Sequence, residues 1–266
     1  MTIKAILFDL DDTLMYEHSS EDAAFRAGAD LAADKYGLDA ADVASKAAET
    51  ARELWSEVPA SGFFISLGAA YFEALWGDFS GDTKEYTETV PLLKDYREQT
   101  WIRTLEAFGQ SDPDLGVAMW EAYYRERTSR HNMIPGAVDV LKQLRERFSI
   151  VMLTNGVPGV QREKINKAGI EDLFDAIVIS GEVGIGKPDP RIFERALSLA
   201  SASRNEALMV GDSPKRDIQG AVNAGLTTVY ADYDGHYTLD GITPDYTIHT
   251  INELPDVIAR AEQSGL

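Results

Sequence analysis

The chain has 266 residues, of which 44% are hydrophobic, so it can form one large domain or a core with a second module. A net charge of −19 argues against nucleic acid and anionic membrane surfaces as partners, and the absence of cysteine excludes disulfides, thiolate catalysis and cysteine metal sites. With no apolar run long enough to cross a bilayer and no secretory signal pattern at the N-terminus, we expect a cytoplasmic protein.

The first predicted element is a strand at Lys4–Phe8, and a different pattern follows it. Between about residues 16 and 131 strand patterns disappear, and apolar and aromatic residues recur at helical spacing, as in Ala69, Phe72 and Trp76. We interpret 16–131 as an all-helical module inserted after the first strand, leaving 1–15 and 132–266 as the core. We expect the aromatic residues of the module to pack between its helices.

Short β-rich runs alternate with helical runs from about residue 132 to the C-terminus. This alternation predicts an α/β fold with a doubly wound, mostly parallel, Rossmann-like sheet covered by helices on both faces. Strands are predicted at Ser149–Leu153, Asp175–Ile179, Ala207–Val210, Thr227–Tyr230 and Tyr246–Ile248, and helices near 136–147, 159–168, 189–201, 215–224 and 251–263.

Polar residues follow four of the predicted strands. Because ligands gather at the carboxyl ends of parallel strands, we expect these residues to form one site. Carboxylates held close together stay ionised only around a cation, and hard oxygen ligands without a Cys or His cluster indicate Mg²⁺, with a hydroxyl and a lysine left to face a phosphate. The residues, strand by strand, are Asp9 and Asp11, then Thr154, Asn155 and Gly156, then Lys187, then Asp212 and Asp217.

Asp9 and Asp11 are two residues apart, so their side chains share a face if the chain stays extended. That placement suggests a division of labour in which one carboxylate attacks phosphorus and the other transfers protons.

The segment Gly181–Lys187 fits the first seven positions of an ATP-binding loop, but the Ser or Thr expected next is Pro188. Proline has no hydroxyl for magnesium and disfavours a helical conformation at Lys187. We therefore expect an extended backbone at Lys187 and a helix that begins near Pro188 or Asp189. We also expect Lys187 to have a role other than that of an ATP-loop lysine.

Taken together, these residues resemble the motifs of the haloacid dehalogenase (HAD) superfamily, specifically its phosphatases. The resemblance covers 1–15 and 132–266, implies a C1-type helical cap at 16–131, and includes core segments similar to N-acylneuraminate-9-phosphatase and related nucleotide phosphatases. The matching segments are Phe8–Leu14, Leu153–Gly156, Lys187–Pro190, and Val210–Ser213 with Asp217.

The resemblance implies a role for each residue. Asp9 is the expected nucleophile and Asp11 the acid and base. Thr154 and Lys187 hold the phosphoryl group, together with backbone N–H groups around Leu10, Asn155 and Gly156. Mg²⁺ is expected on Asp9, the main-chain carbonyl of Asp11 and Asp212, with Asp217 completing or supporting the shell.

The leading hypothesis is a Mg²⁺-dependent phosphomonoesterase that acts on a small phosphorylated metabolite, a sugar phosphate or a nucleotide, through an aspartyl-phosphate. Two alternatives share the core residues: a phosphomutase and a non-catalytic, receiver-like phospho-acceptor. Dehalogenases of the superfamily lack an acid at the position of Asp11, which favours phosphoryl transfer. The sequence does not indicate an oligomeric state.

Overall fold

The computed structural model describes residues 2–264, which contain a six-stranded sheet. Every neighbouring pair of strands is parallel. The predicted α/β fold class is therefore confirmed, and each strand lies within one residue of its predicted bounds. The strands are β1 (Ala5–Phe8), β2 (Ser149–Thr154), β3 (Ala176–Ile179), β4 (Ala207–Gly211), β5 (Thr227–Ala231) and β6 (Tyr246–Ile248). Their order across the sheet is β3-β2-β1-β4-β5-β6.

The central strands are apolar along their whole length because both faces of the sheet are covered. In β1, Ile6 and Phe8 pack into the apolar cluster on one face, whereas Ala5 and Leu7 pack into the cluster on the other. This two-residue alternation fixes the direction in which each side chain at the end of the strand points.

The chain forms two compact units, one made of the residues up to Tyr16 and from Asn132 onward, the other of Glu17–His131. The second unit contains no strand among its described residues. Its helices are α1 (His18–Tyr36), α2 (Ala40–Glu57), α3 (Ser61–Ser66), α4 (Glu73–Trp76), α5 (Lys84–Ala107) and α6 (Pro113–Ser129).

The interior of the helical unit combines aromatic packing with buried charge. Trp76, Trp101 and Tyr123 are buried as expected, whereas Tyr124 is 42% exposed. The guanidinium of Arg127 lies over the Trp76 ring, 4.3 Å from its centre, and its Nη2 is 2.6 Å from Glu17 Oε2. Both charged side chains are almost fully buried, so this ion pair ties the beginning of α1 to the end of α6 inside the unit.

Glu21 is a second buried carboxyl of this interior, and its Oε1 accepts a hydrogen bond from the Tyr71 hydroxyl at 3.3 Å. Burial, and next the negative charge of Glu17, raise the pKa of Glu21 to about 8. The protonated form of Glu21 is thus the one that the folded unit favours near neutral pH.

The helices of the first unit flank the sheet, and four of them differ from the prediction by three residues or in type. α7 (Ala137–Leu144) ends three residues early, and α12 (Leu254–Ser264) begins three residues after the predicted start at 251. A short unpredicted helix, α9 (Ser180–Val183), follows β3, and the single helix predicted at 215–224 is a π-helical stretch, Pro214–Gln219, that continues into α11 (Gly220–Ala224). Within residues 2–264, no helix has both the length and the apolar character needed to cross a membrane. The helices are α7 (Ala137–Leu144), α8 (Pro158–Ala168), α9 (Ser180–Val183), α10 (Pro190–Leu199), α11 (Gly220–Ala224) and α12 (Leu254–Ser264).

Candidate active site

Three neighbouring strands end together at the centre of the sheet, where β1 lies between β2 and β4. Asp9 directly follows β1, Thr154 is the last residue of β2, and Asp212 directly follows β4. Because the strands are parallel, their carboxyl ends bring these residues to one edge of the sheet.

Three buried carboxylates form a compact cluster at that edge. Asp9, Asp212 and Asp217 each offer one oxygen, and these oxygens all lie within 4.8 Å of one another. The Thr13 hydroxyl donates to Asp212 Oδ1 at 3.4 Å, and the Ser213 backbone N–H donates to Asp217 Oδ2 at 3.0 Å. These hydrogen bonds hold the carboxylates of Asp212 and Asp217 in place.

Lys187 supplies a positive charge to this cluster. Its Nζ lies 2.7 Å from Asp9 Oδ1 and 2.6 Å from Asp217 Oδ1, and its side chain is 2% exposed. The helix after it, α10, begins at Pro190 rather than at Pro188 or Asp189, so Lys187 lies in the loop before the helix. The lysine thus contacts one carboxylate directly after β1 and another in the π-helical stretch Pro214–Gln219 that follows β4.

Burial and mutual repulsion set the protonation behaviour of the cluster. Burial, and next the charge of Asp217, raise the pKa of Asp9 to about 6, even though Lys187 and the backbone N–H of Leu10 act in the opposite direction. Burial, and next Asp9, raise the pKa of Asp212 well above its ordinary value. Burial by itself lowers the pKa of Lys187, but Asp217 and Asp9 outweigh this effect and raise it above its ordinary value.

The donor set fits a hard divalent cation. When its three carboxyls are ionised, the one lysine leaves two negative charges in excess in a buried place, and oxygen is the ligand that Mg²⁺ prefers. A glycine gives the cluster its room, because a Cβ at Gly211 would lie 2.4 Å from both Cγ and Oδ2 of Asp217. The sequence at the end of β4 is thus matched to a carboxylate packed directly against the backbone.

The loop after β2 holds the lysine loop in place. The side-chain amide of Asn155 accepts a hydrogen bond from the Lys187 N–H at 2.8 Å and donates to the Lys187 carbonyl at 2.9 Å. The N–H of Gly156 donates to Ser180 Oγ at 2.9 Å. Sequence reasoning assigned Asn155 and Gly156 to phosphate through their backbone, and it missed that the Asn155 side chain positions Lys187.

Asp11 makes different contacts from those of Asp9. β1 ends at Phe8, and the chain turns through Asp12, which has a φ of 53°, so the extended path assumed for a shared face is not continued. Lys164 Nζ lies 3.0 Å from Asp11 Oδ1, and Gln161 Nε2 lies 3.0 Å from Asp11 Oδ2. The carboxylate of Asp11 is therefore bound by α8, whereas that of Asp9 is bound by Lys187.

Gln161 and Lys164 are site residues to which the sequence assigned no role. Their signal was present, since residues three apart on a helix lie on the same face and α8 directly follows the loop after β2. What the sequence could not supply was the direction of that face.

Comparison with known proteins points to one family of hydrolases. Residues 3–225 match the family model of the haloacid dehalogenase-like hydrolases. The chain is 35% identical to a phosphoserine phosphatase of Thermus thermophilus over 253 residues. That alignment covers 95% of this chain and 98% of the relative. It is also 37% identical over 171 residues to the mouse N-acylneuraminate-9-phosphatase, covering 62% of this chain and 68% of the relative.

Among solved structures, the fold is similar to that of the HAD-hydrolase YfnB of Bacillus subtilis, whose crystal structure is bound to magnesium. The TM-score is 0.65 at 24% identity, and the match covers 97% of this chain and 99% of that one. At this identity the likeness supports the fold alone.

Proposed function

The chain belongs to the haloacid dehalogenase-like hydrolases, as a phosphatase of that family, and we propose that it is a Mg²⁺-dependent phosphomonoesterase that works through an aspartyl-phosphate on Asp9. The observation that carries this proposal is the convergence of Asp9, Asp212 and Asp217 around the Nζ of Lys187 at the carboxyl edge of the sheet.

Mg²⁺ would be held by Asp9, Asp212 and the main-chain carbonyl of Asp11, with Asp217 completing or supporting the shell. When bound, the ion offsets the charge of the carboxylates and of the phosphoryl oxygens, so that an anionic substrate can approach an anionic site. Lys187 acts in the same sense and also keeps the Asp9 carboxylate in place.

In the first half of the reaction, a carboxylate oxygen of Asp9 forms a bond to phosphorus while the bond to the leaving oxygen breaks. The electron pair of that bond goes to the leaving oxygen, which takes a proton from Asp11. The products are an alcohol and a phosphorylated Asp9. Thr154, Lys187 and the backbone N–H groups near Leu10 and Asn155 are the candidates for holding the transferring group.

In the second half, the Asp11 carboxylate removes a proton from a water molecule whose oxygen bonds to phosphorus. The bond between phosphorus and Asp9 breaks, inorganic phosphate leaves, and both carboxyl groups return to their starting states. Spontaneous hydrolysis of phosphate monoesters is slow enough that covalent capture, proton transfer and charge stabilisation are all needed for a useful rate.

The substrate class we propose is a small phosphorylated metabolite. The two relatives described above are named for phosphoserine and for an acylneuraminate 9-phosphate, which differ in size and charge. The shared element is the phosphoryl group, and the core residues described here act on that group. A panel of O-phosphoserine, acylneuraminate 9-phosphate, sugar phosphates and nucleotides would identify the preferred leaving group.

The test is release of inorganic phosphate from 4-nitrophenyl phosphate, with and without Mg²⁺, by the wild type and by Asp9→Asn. We expect the substitution to lower kcat by at least ~10³-fold, because it removes the attacking carboxylate. Asp172→Asn, at an exposed position of the same unit, is the matched control and should leave the rate unchanged.

Mass spectrometry of acid-quenched wild-type enzyme should locate the phosphoryl group on the peptide that contains Asp9. A fully active Asp9→Asn enzyme would reject the mechanism. Isomerised sugar phosphate without phosphate release would indicate a mutase, and a phospho-aspartate that persists for hours would indicate a receiver-like acceptor.

A further inference from the structure

The first turns of α8 place two polar side chains deep inside the protein, each against Asp11. Gln161 and Lys164 are both 0% exposed. A lysine is almost never fully buried unless it is paired, since the loss of hydration costs several kcal/mol per charge. An apolar residue would fill a helix-to-sheet contact at lower cost, so the presence of a buried cation and a buried amide on one helix face needs an explanation.

The contacts of these side chains define the plane of the Asp11 carboxylate. Lys164 approaches one carboxylate oxygen at 3.0 Å and Gln161 Nε2 approaches the other, also at 3.0 Å. Two donors on two different oxygens fix both the position and the rotation of a carboxylate, whereas one donor would leave it free to turn.

Gln161 also connects Asp11 to the end of β2. Its Nε2 lies 2.6 Å from Thr154 Oγ1, so the two hydrogens of one amide nitrogen can serve Asp11 and Thr154 together. A threonine oxygen that accepts from Gln161 directs its own hydrogen away from that amide. One rigid amide group thus sets the separation between the proposed proton donor and the proposed phosphate-binding hydroxyl.

The loop after β2 makes room for this amide. Gly156 has a φ of 140°, and a Cβ at that position would lie 3.0 Å from Gln161 Cγ and 3.1 Å from Cδ. The backbone there is one that side chains rarely adopt, and the missing side chain leaves the space into which Gln161 extends. This feature is independent of the hydrogen bonds and favours the same placement.

We propose that Gln161 and Lys164 are positioning residues that hold the Asp11 carboxylate at a fixed distance from the Thr154 hydroxyl, and that proton delivery to the leaving group depends on this placement. The inference rests on the proposed function, because it assigns a purpose to the proton transfer by Asp11. Neither residue is proposed to touch the substrate.

The experiment compares two substrates that differ in their need for a proton. The leaving group of phenyl phosphate requires protonation, whereas that of 2,4-dinitrophenyl phosphate leaves readily as the anion. For Gln161→Met and Lys164→Met, we expect kcat/KM for phenyl phosphate to fall by at least about tenfold, toward the ~10²-fold lower limit of a lost general acid. For 2,4-dinitrophenyl phosphate the fall should be less than about threefold.

Two controls separate positioning from damage to the helix. Ile165→Ala removes apolar packing on α8 and should affect both substrates equally. Arg162→Met, also on α8, removes surface ion pairs with Glu171 and Glu182 and should affect neither substrate. Gln161→Asn keeps an amide but is one methylene too short to span Asp11 and Thr154. It should give the same substrate pattern, and it decides the matter if Gln161→Met does not fold.

A double-mutant cycle provides the second readout. If Gln161 acts through Asp11, then adding Gln161→Met to an Asp11→Asn enzyme should cost less than about threefold more, because the group it positions has been removed. Equal losses on both substrates, no loss at all, or effects that multiply in the double variant would each overturn the inference. An inactive wild type, or an active Asp9→Asn enzyme, would instead overturn the proposed function.

Discussion

Lys187→Met tests how much the lysine in the carboxylate cluster contributes to the stability of the unit that contains the sheet. The substitution keeps the length and the apolar stem of the side chain but removes the charge that lies 2.7 Å from Asp9 and 2.6 Å from Asp217. Asp217 is completely buried, so water cannot replace the lost partner without a rearrangement.

The size of the effect follows from these distances. At about 2.7 Å and an effective dielectric constant of about 20, each contact is worth roughly 6 kcal/mol of attraction, and the hydration that the buried lysine gives up offsets much of it. Removing one partner of a buried ion pair typically costs about 3–5 kcal/mol. Because Lys187 serves two carboxylates, we expect the upper part of this range when divalent cations are removed with EDTA.

The choice of probe matters, because all four tryptophans (Trp55, Trp76, Trp101 and Trp120) lie in the helical unit and do not report on the sheet. Hydrogen exchange of the β1 and β4 amides, measured by mass spectrometry at pH 7.5, follows the unit that contains Lys187. The matched control is Lys142→Met, an exposed lysine of the same unit, which should change stability by no more than about 0.5 kcal/mol.

Mg²⁺ should restore part of the lost protection in Lys187→Met, because a cation that binds only the folded cluster stabilises it by mass action. If Lys187→Met lost less than about 1 kcal/mol in EDTA, the lysine would not be what balances the charge of Asp9 and Asp217.

Two further predictions concern other parts of the molecule. Because the pKa of Glu21 is about 8 in the folded unit against 4.5 ordinarily, the folded state binds one more proton between these values, and the free energy of unfolding should fall as pH rises from about 4.5 to 8, by roughly 5 kcal/mol in total. Glu21→Gln should remove this slope in urea unfolding followed by tryptophan fluorescence, and an unchanged slope would contradict the assignment. Gly211→Ala should displace Asp217 and weaken Mg²⁺ binding by about tenfold or more in calorimetry, since overpacking costs about 1–3 kcal/mol. Gly62→Ala is the control, because the space around Gly62 is open, and it should leave Mg²⁺ binding unchanged. Equal Mg²⁺ affinities of the two variants would contradict the role of Gly211.

The sequence predicted the sheet well because the relevant signals are local. The apolar runs of β1 and β4 are short, are bounded by polar residues, and alternate with helical patterns, and parallel strands with covered faces require that composition. The helix ends were predicted less well. The stretch at Pro214–Gln219 becomes π-helical where the backbone of Ser213 bonds to Asp217, which is a local contact that no periodicity reports.

The candidate site divides in the same way. Parallel strands bring the positions that follow them to one edge of the sheet. The sequence was therefore enough to infer the meeting of four such residues: Asp9, Lys187, Asp212 and Asp217. The sequence was not enough to infer the distinct surroundings of Asp11, because these depend on which face α8 turns inward and on the turn through Asp12.

By itself, then, the sequence determined which residues follow the strands and what chemistry their side chains can perform, since both depend on neighbours along the chain. Only the tertiary structure decided that Asn155 holds the backbone of Lys187, that Gln161 joins Asp11 to Thr154, and that one lysine serves two buried carboxylates. Those pairings link residues up to 178 positions apart, and a side chain's partner at such a separation is selected by packing and by the need to satisfy every buried charge.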